Sequence, residues 1–192
     1  GCSPSFAYTT NTATITINSP DLNYNLIRIR SIMKAGVTDS ATAAGLTSPY
    51  DVAQTTQYFD GLGRTIQTVA MQQSPLQHDM VTMDVYDAYG REPVKYLPYT
   101  ATTTDGLYKT TALTDQNTFN GSQFPGEQYY YSQTNFEPSP LNRVDTAMAP
   151  GLNWVGAERG VARQYLVNQV SDSVRLWSIA FTVGSIPTTS SI

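Results

Sequence analysis

The stretch YFDGLGRTIQTV, residues 58–69, decides how this chain is read, because its centre returns as Asp-x-x-Gly-Arg in VYDAYGREPVKYL, residues 85–97. Asp at the first position and Gly at the fourth are the choices of a type I turn, with the glycine supplying the left-handed conformation of a bulged three-residue hairpin loop. Asp60-Gly61-Leu62-Gly63 and Asp87-Ala88-Tyr89-Gly90 both fit. The spacing sets Asp60 opposite Arg64 and Asp87 opposite Arg91 at two hairpin necks. A non-glycine residue at Gly63 or Gly90 would lose about 1–2 kcal/mol in the left-handed region. The motif therefore reads as turn chemistry and not as an active-site loop.

Working outward, the flanks are strand-like. Extended runs at 54–59, 64–71, 80–86 and 91–97, separated by short turn-like segments, predict a four-strand meander with hairpins over 54–71 and 80–97. The simplest register places Val81, Met83 and Val85 on one face with Leu97, and Tyr86, Val94 and Tyr96 on the other. Upstream, NLIRIRSI (25–32) alternates as a half-buried strand, and TDSATAAGL predicts a short helix with a cap such as Ser40. Downstream, a helix is expected at 110–119 with Leu113, Gln116 and Phe119 on one stripe. An ordered loop with a strand near 142–148 should follow, and a closing hairpin from VARQYLV and SVRLWSIAF. Residues 1–21 read as a polar leader with one short strand, 22–183 as a single β-rich domain, and 184–192 as a linker tail. The fold class is mainly β: antiparallel hairpins forming a twisted sheet, sandwich or partial shell, with one or two short helices.

Composition agrees. Of 192 residues 40% are apolar and only 14% charged, with 13 tyrosines; polarity carried by Thr, Ser, Asn and Tyr suits pleated surfaces and turns. Eleven scattered Lys and Arg, and a net charge of −4, argue against a nucleic-acid groove. The longest apolar runs fall far short of the roughly 20 residues of a membrane span. A single cysteine, Cys2, excludes an internal disulfide and a multi-thiolate zinc site. It reads first as an ordinary free cysteine; a bacterial lipidation cysteine, with the polar SPSFAYTTNTAT as its tether, is the alternative.

Catalytic patterns are weak. Ser74, His78 and Asp79 are too close in sequence to suggest a triad, and the lone His78 reads as a solvated loop residue. Glu127, Glu137 and Glu158 are the carboxylates from which a glycosidase pair would be drawn. Asp79, Asp84 and Asp87 lack calcium-loop spacing, and Gly61-Leu62-Gly63 lacks the third glycine of a dinucleotide loop. The expectation is no enzyme, no cofactor and no metal. Tyr129, Tyr130, Tyr131, Trp154 and Trp177 are the residues to offer flat faces to a glycan or a partner protein, although alternation must bury one of the three tyrosines.

Taken together, QYFDGLGRTIQTV, YDAYGREPVKYLPY, FEPSPLNRV and APGLNW, in this order, resemble the domain of uncharacterised function that precedes the YD repeats of large bacterial Rhs-type proteins. Tyr86 to Arg91 matches the Tyr-Asp-x-x-Gly-Arg unit fully; in the first copy Phe59 replaces the tyrosine. The resemblance spans roughly residues 23–177. It implies hairpins wound into a β-shell, with Asp60, Gly63, Arg64, Asp87, Gly90 and Arg91 as turn formers and Tyr86 as a packing residue. It implies no catalytic residue. The expected role is a non-catalytic structural module, extracytoplasmic at the cell surface or secreted, whose partner is the downstream YD-repeat region of the same polypeptide. A glycan- or protein-binding β-domain is the alternative, and a glycoside-cleaving enzyme the second alternative.

Overall fold

Alternating Ile and Arg in NLIRIRSI produce a strand that anchors a mainly antiparallel sheet. In the computed structural model, residues 12–15, 24–172, 177–180 and 188–191 are described, and the chain divides into two compact units, residues 1–161 and 162–192. The first unit begins with β1 (Thr12–Ile15), β2 (Asn25–Ile32) and the helix α1 (Ser40–Gly45). Asp39, and not Ser40, caps that helix: its carboxylate accepts from the Thr42 amide at 2.8 Å and the Thr42 hydroxyl at 2.6 Å. β3 (Val52–Phe59), β4 (Thr65–Met71), β5 (Met80–Val85), β6 (Val94–Tyr96), β7 (Tyr99–Thr100), α2 (Ala112–Gln123), β8 (Tyr131–Phe136) and β9 (Val144–Met148) follow. β10 (Val161–Ala162) falls where the first unit gives way to the second.

The strand order is β1-β2-β3-β4-β5-β6-β8-β9, with β7 pairing β5, and each of these pairings is antiparallel. Two departures from the sequence reading stand out. The second hairpin does not run the length of 80–97. β6 pairs β5 only at Asp84–Lys95 and Val85–Val94, the strand is interrupted at Leu97-Pro98, and β7 takes over the start of β5 through Val81–Tyr99. β8, read as ordered loop, is a strand because Tyr131 to Phe136 contains no proline; the prolines cluster just after it.

The face assignment also changes, for one physical reason. In the first hairpin Phe59 faces Thr65 but Tyr58 faces Gln67. In the second, the neck joins Asp87 to Arg91 while Val85 faces Val94. One extra residue on the returning strand is a β-bulge, and a one-residue shift moves a whole strand to the other face. Val94 and Tyr96 therefore share the face of Val81 and Met83, and Tyr96 packs on the core. That core holds Leu26, Tyr58, Val69, Val81, Met83, Tyr99, Ala101 and Ala112. Tyr58, Val69 and Val81 are fully buried, each such apolar burial contributing about 1.5–3 kcal/mol.

Helix α2 keeps Gln116 and Phe119 of its expected stripe on the inward side, Gln116 fully buried and Phe119 packed against the core, but not Leu113. Leu113 is 48% exposed, and the buried residues are Ala112, Gln116 and Asn120. Its inward face is polar because Gln116 donates to the Tyr130 carbonyl at 2.9 Å and Asn120 donates to the Gln116 carbonyl at 3.1 Å. In the second unit β11 (Trp177–Ala180) pairs with β12 (Thr188–Ser191). The closing hairpin thus uses residues of the stretch read as a linker tail, and 163–169 form no strand.

Candidate functional site

Three turns line up along one end of the first unit's sheet, at the β3–β4, β5–β6 and β8–β9 connections. In the first, the Asp60 carboxylate accepts the Leu62 and Arg64 amides, each at 2.9 Å, and the Arg64 Nε at 2.7 Å. In the second, Asp87 accepts Tyr89 N at 2.8 Å, Arg91 N at 2.9 Å and Arg91 Nε at 2.7 Å. Gly63 and Gly90 have φ of +78° and +76°, the left-handed conformation that glycine permits.

The third turn was not visible as a copy in the sequence. Glu137 replaces the aspartate, Asn142 with φ +52° replaces the glycine, and Arg143 closes the neck. Glu137 accepts Arg143 Nε at 2.9 Å and Nη2 at 2.8 Å, a bidentate pair. Each turn is preceded by an aromatic residue: Phe59, Tyr86, Phe136. The bulge recurs too, since Phe136 faces Val144 while Asn135 faces Thr146. The loop is two residues longer than the others, which hides the pattern; Phe-Glu and Asn-Arg at its two ends are the signal that could have revealed it.

The turns are joined laterally. The Arg64 guanidinium lies 4.3 Å from the Tyr86 ring centroid, and Tyr86 Oη donates to the Thr65 carbonyl at 2.8 Å. Arg91 lies 4.8 Å from the Phe136 centroid and donates to Asn142 Oδ1 at 3.2 Å. Each arginine thus closes its own neck and covers the aromatic residue of the next hairpin. The Arg64 amide foremost, opposed by partial burial, holds the Asp60 carboxyl below its ordinary pKa. For Asp87 partial burial acts upward, but the Arg91 amide and side chain and the Tyr89 amide outweigh it, and the net shift is down. Arg143, then the Ser139 hydroxyl, bring Glu137 down to about 2. These carboxylates are tied up as anions, unlike a general acid.

A second polar centre lies beneath the sheet. Asp79, fully buried, accepts Lys109 Nζ at 2.8 Å, Gly106 N at 2.8 Å, Gln72 N at 3.0 Å and Thr103 Oγ1 at 3.3 Å. Gln67, 1% exposed, binds the Lys109 backbone at both ends, donating to its carbonyl at 3.0 Å and accepting its amide at 2.7 Å. A cleft of about 250 Å³ lies nearby, lined by Arg30, Leu46, Val52, Gln54, Met71 and Asp105.

The remaining candidates are scattered. His78 is half-buried, not solvated, and its ring meets the Ala101 carbonyl at 3.1 Å, while the Ser74 hydroxyl accepts the His78 backbone amide. No triad is assembled from them. Glu127 accepts the Leu152 amide, Glu137 is paired with Arg143, and Glu158 sits in a turn with φ +53°. Among the described residues no group of three His, Cys, Asp or Glu is placed to hold a metal ion, and no helix is long and apolar enough to cross a membrane. Tyr130 is buried, Tyr129 and Tyr131 are half-buried with centroids 5.9 Å apart, and Trp154 is 51% exposed. Trp177 opens β11, but its side chain and all of Cys2 lie outside the described residues.

The sequence model of a family described as a domain of unknown function, DUF6443, matches residues 30–167. No curated protein and no solved structure matches the chain.

Proposed function

The chain belongs to the DUF6443 domain family, and we propose that it is a non-catalytic structural module at the start of a Rhs-type, YD-repeat surface or secreted protein, where it scaffolds the β-hairpins that follow. The observation that carries this reading is the lateral joint: Arg64 on Tyr86, then Arg91 on Phe136 and Asn142. A hairpin built this way offers its neighbour a prepared guanidinium and turn, so hairpins add in a fixed order. On this reading the module acts outside the cytoplasm, and Cys2 is its lipid attachment. Two experiments test it. The parent reading frame should carry further Asp-x-x-Gly-Arg units downstream; a frame without them overturns the proposal. Labelling of the parent with a palmitate analogue should be lost in Cys2→Ser, and labelling unchanged by that substitution removes the lipid anchor.

A second reading, glycan binding, is favoured by Trp154, which is half exposed, as is Leu152 two residues before it. Retention on a glycan array that Trp154→Ala abolishes would support it; no retention would remove it.

A further inference from the structure

We propose that Lys109 and Asp79 join through an intramolecular amide bond, with Asp105 as the proton carrier. The three side chains already touch. Lys109 Nζ stands 2.8 Å from Asp79 Oδ2 and also donates to Asp105 Oδ1, so the ammonium bridges the two carboxylates. Asp79 is fully buried and Lys109 is 8% exposed, whereas Asp105 reaches solvent with 47% of its side chain open. That arrangement isolates the reacting pair from water yet gives the departing water an exit.

The driving force lies in the burial. A buried ion pair carries the desolvation cost of both charges, which an amide at the same position does not. Fixed contact replaces an encounter in solution, an advantage that reaches effective molarities of about 10⁵–10⁸ M for well-oriented groups. In the step, Lys109 Nζ passes one proton to Asp79 Oδ2 across their 2.8 Å contact, so that a neutral amine faces a neutral carboxyl, and gives a second proton to Asp105 as it attacks Asp79 Cγ. Asp79 Oδ1, bonded to the Gln72 amide at 3.0 Å, takes the developing negative charge and becomes the amide oxygen. Oδ2 leaves as water, carrying the first proton and the one that Asp105 returns, so ammonium and carboxylate become one amide and one water. No oxidant or cofactor enters.

Intact-mass measurement of the purified full chain tests the inference. A chain one water lighter than its sequence, with a tryptic pair linked through Lys109 and Asp79, is the expected result. A succinimide elsewhere would match the mass but yield no linked pair, and would overturn the proposal, as would the unmodified mass. Asp105→Asn should slow bond formation by about 10²–10⁴-fold; bonding at the original rate would exclude Asp105 as carrier. Lys109→Arg must restore the full mass.

Discussion

Replacing either turn glycine with alanine should cost stability, and the two costs should differ in a way that reports on the joint between hairpins. Gly63 and Gly90 share nearly the same φ, +78° and +76°, so each alanine loses about 1–2 kcal/mol to the left-handed conformation. At Gly63 the new Cβ meets nothing within 4 Å, whereas at Gly90 it comes 3.1 Å from Arg64 Nη1. That guanidinium must move, and its contact with Tyr86 weakens, adding about 0.5–1 kcal/mol. Gly90→Ala should therefore lose about 1.5–3 kcal/mol, against about 1–2 for Gly63→Ala. For a chain of this size each kcal/mol lowers Tm by about 2–4 °C. Urea titration followed by far-UV circular dichroism measures both. Equal losses at the two glycines, or none at Gly90, would refute the reasoning. Gly63→Asn should be milder than Gly63→Ala, because asparagine tolerates the left-handed region and holds it at Asn142.

Other outcomes follow from the same contacts. Glu137 titrates near 2 when folded and near 4.5 otherwise, so its stabilisation is fully present above about 4.5 and is lost as pH falls towards 2; Glu137→Gln should flatten the urea midpoint across that window, and an unchanged pH profile would contradict the pairing. Measured against wild-type chain in which Lys109 and Asp79 are still an unlinked ion pair, Lys109→Met should cost about 3–5 kcal/mol by stranding the buried Asp79, with Asp79→Asn in the same chain restoring part of the loss; a single-variant midpoint equal to that reference would count against the buried pair. Gln67→Leu leaves the Lys109 amide and carbonyl unsatisfied, at about 1–3 kcal/mol each, and should make that amide exchange rapidly with deuterium.

The hairpins were legible because turn chemistry is local: Asp60-x-x-Gly63-Arg64 and Asp87-x-x-Gly90-Arg91 carry their own geometry. What lay between them was less so. A single bulged residue moves Val94 and Tyr96 to the other face of β6, and no periodicity within three residues announces it. Helix α2 was legible in place, and Gln116 and Phe119 do face inward, but Asn120 stands where Leu113 was expected because the buried side is partly polar, with Gln116 and Asn120 bonded to backbone groups distant in sequence or one turn away. A hydrophobic stripe cannot show a polar face. The third turn was hidden by its longer loop and by Glu and Asn replacing Asp and Gly, although the contacts of Glu137 with Arg143 are those of the other two acids. The Asp79–Lys109 pair joins residues 30 positions apart, and nothing local in QHDM or YKTT suggests it.

Arginines tie one hairpin to the next, and a double-mutant cycle on Arg64 and Tyr86 tests this most directly. With Arg64→Met, Tyr86→Leu and the double variant compared by urea unfolding, the 4.3 Å contact predicts a coupling of about 0.5–1 kcal/mol. Strictly additive losses would contradict it, leaving two hairpins that stand side by side without the arginine joining them.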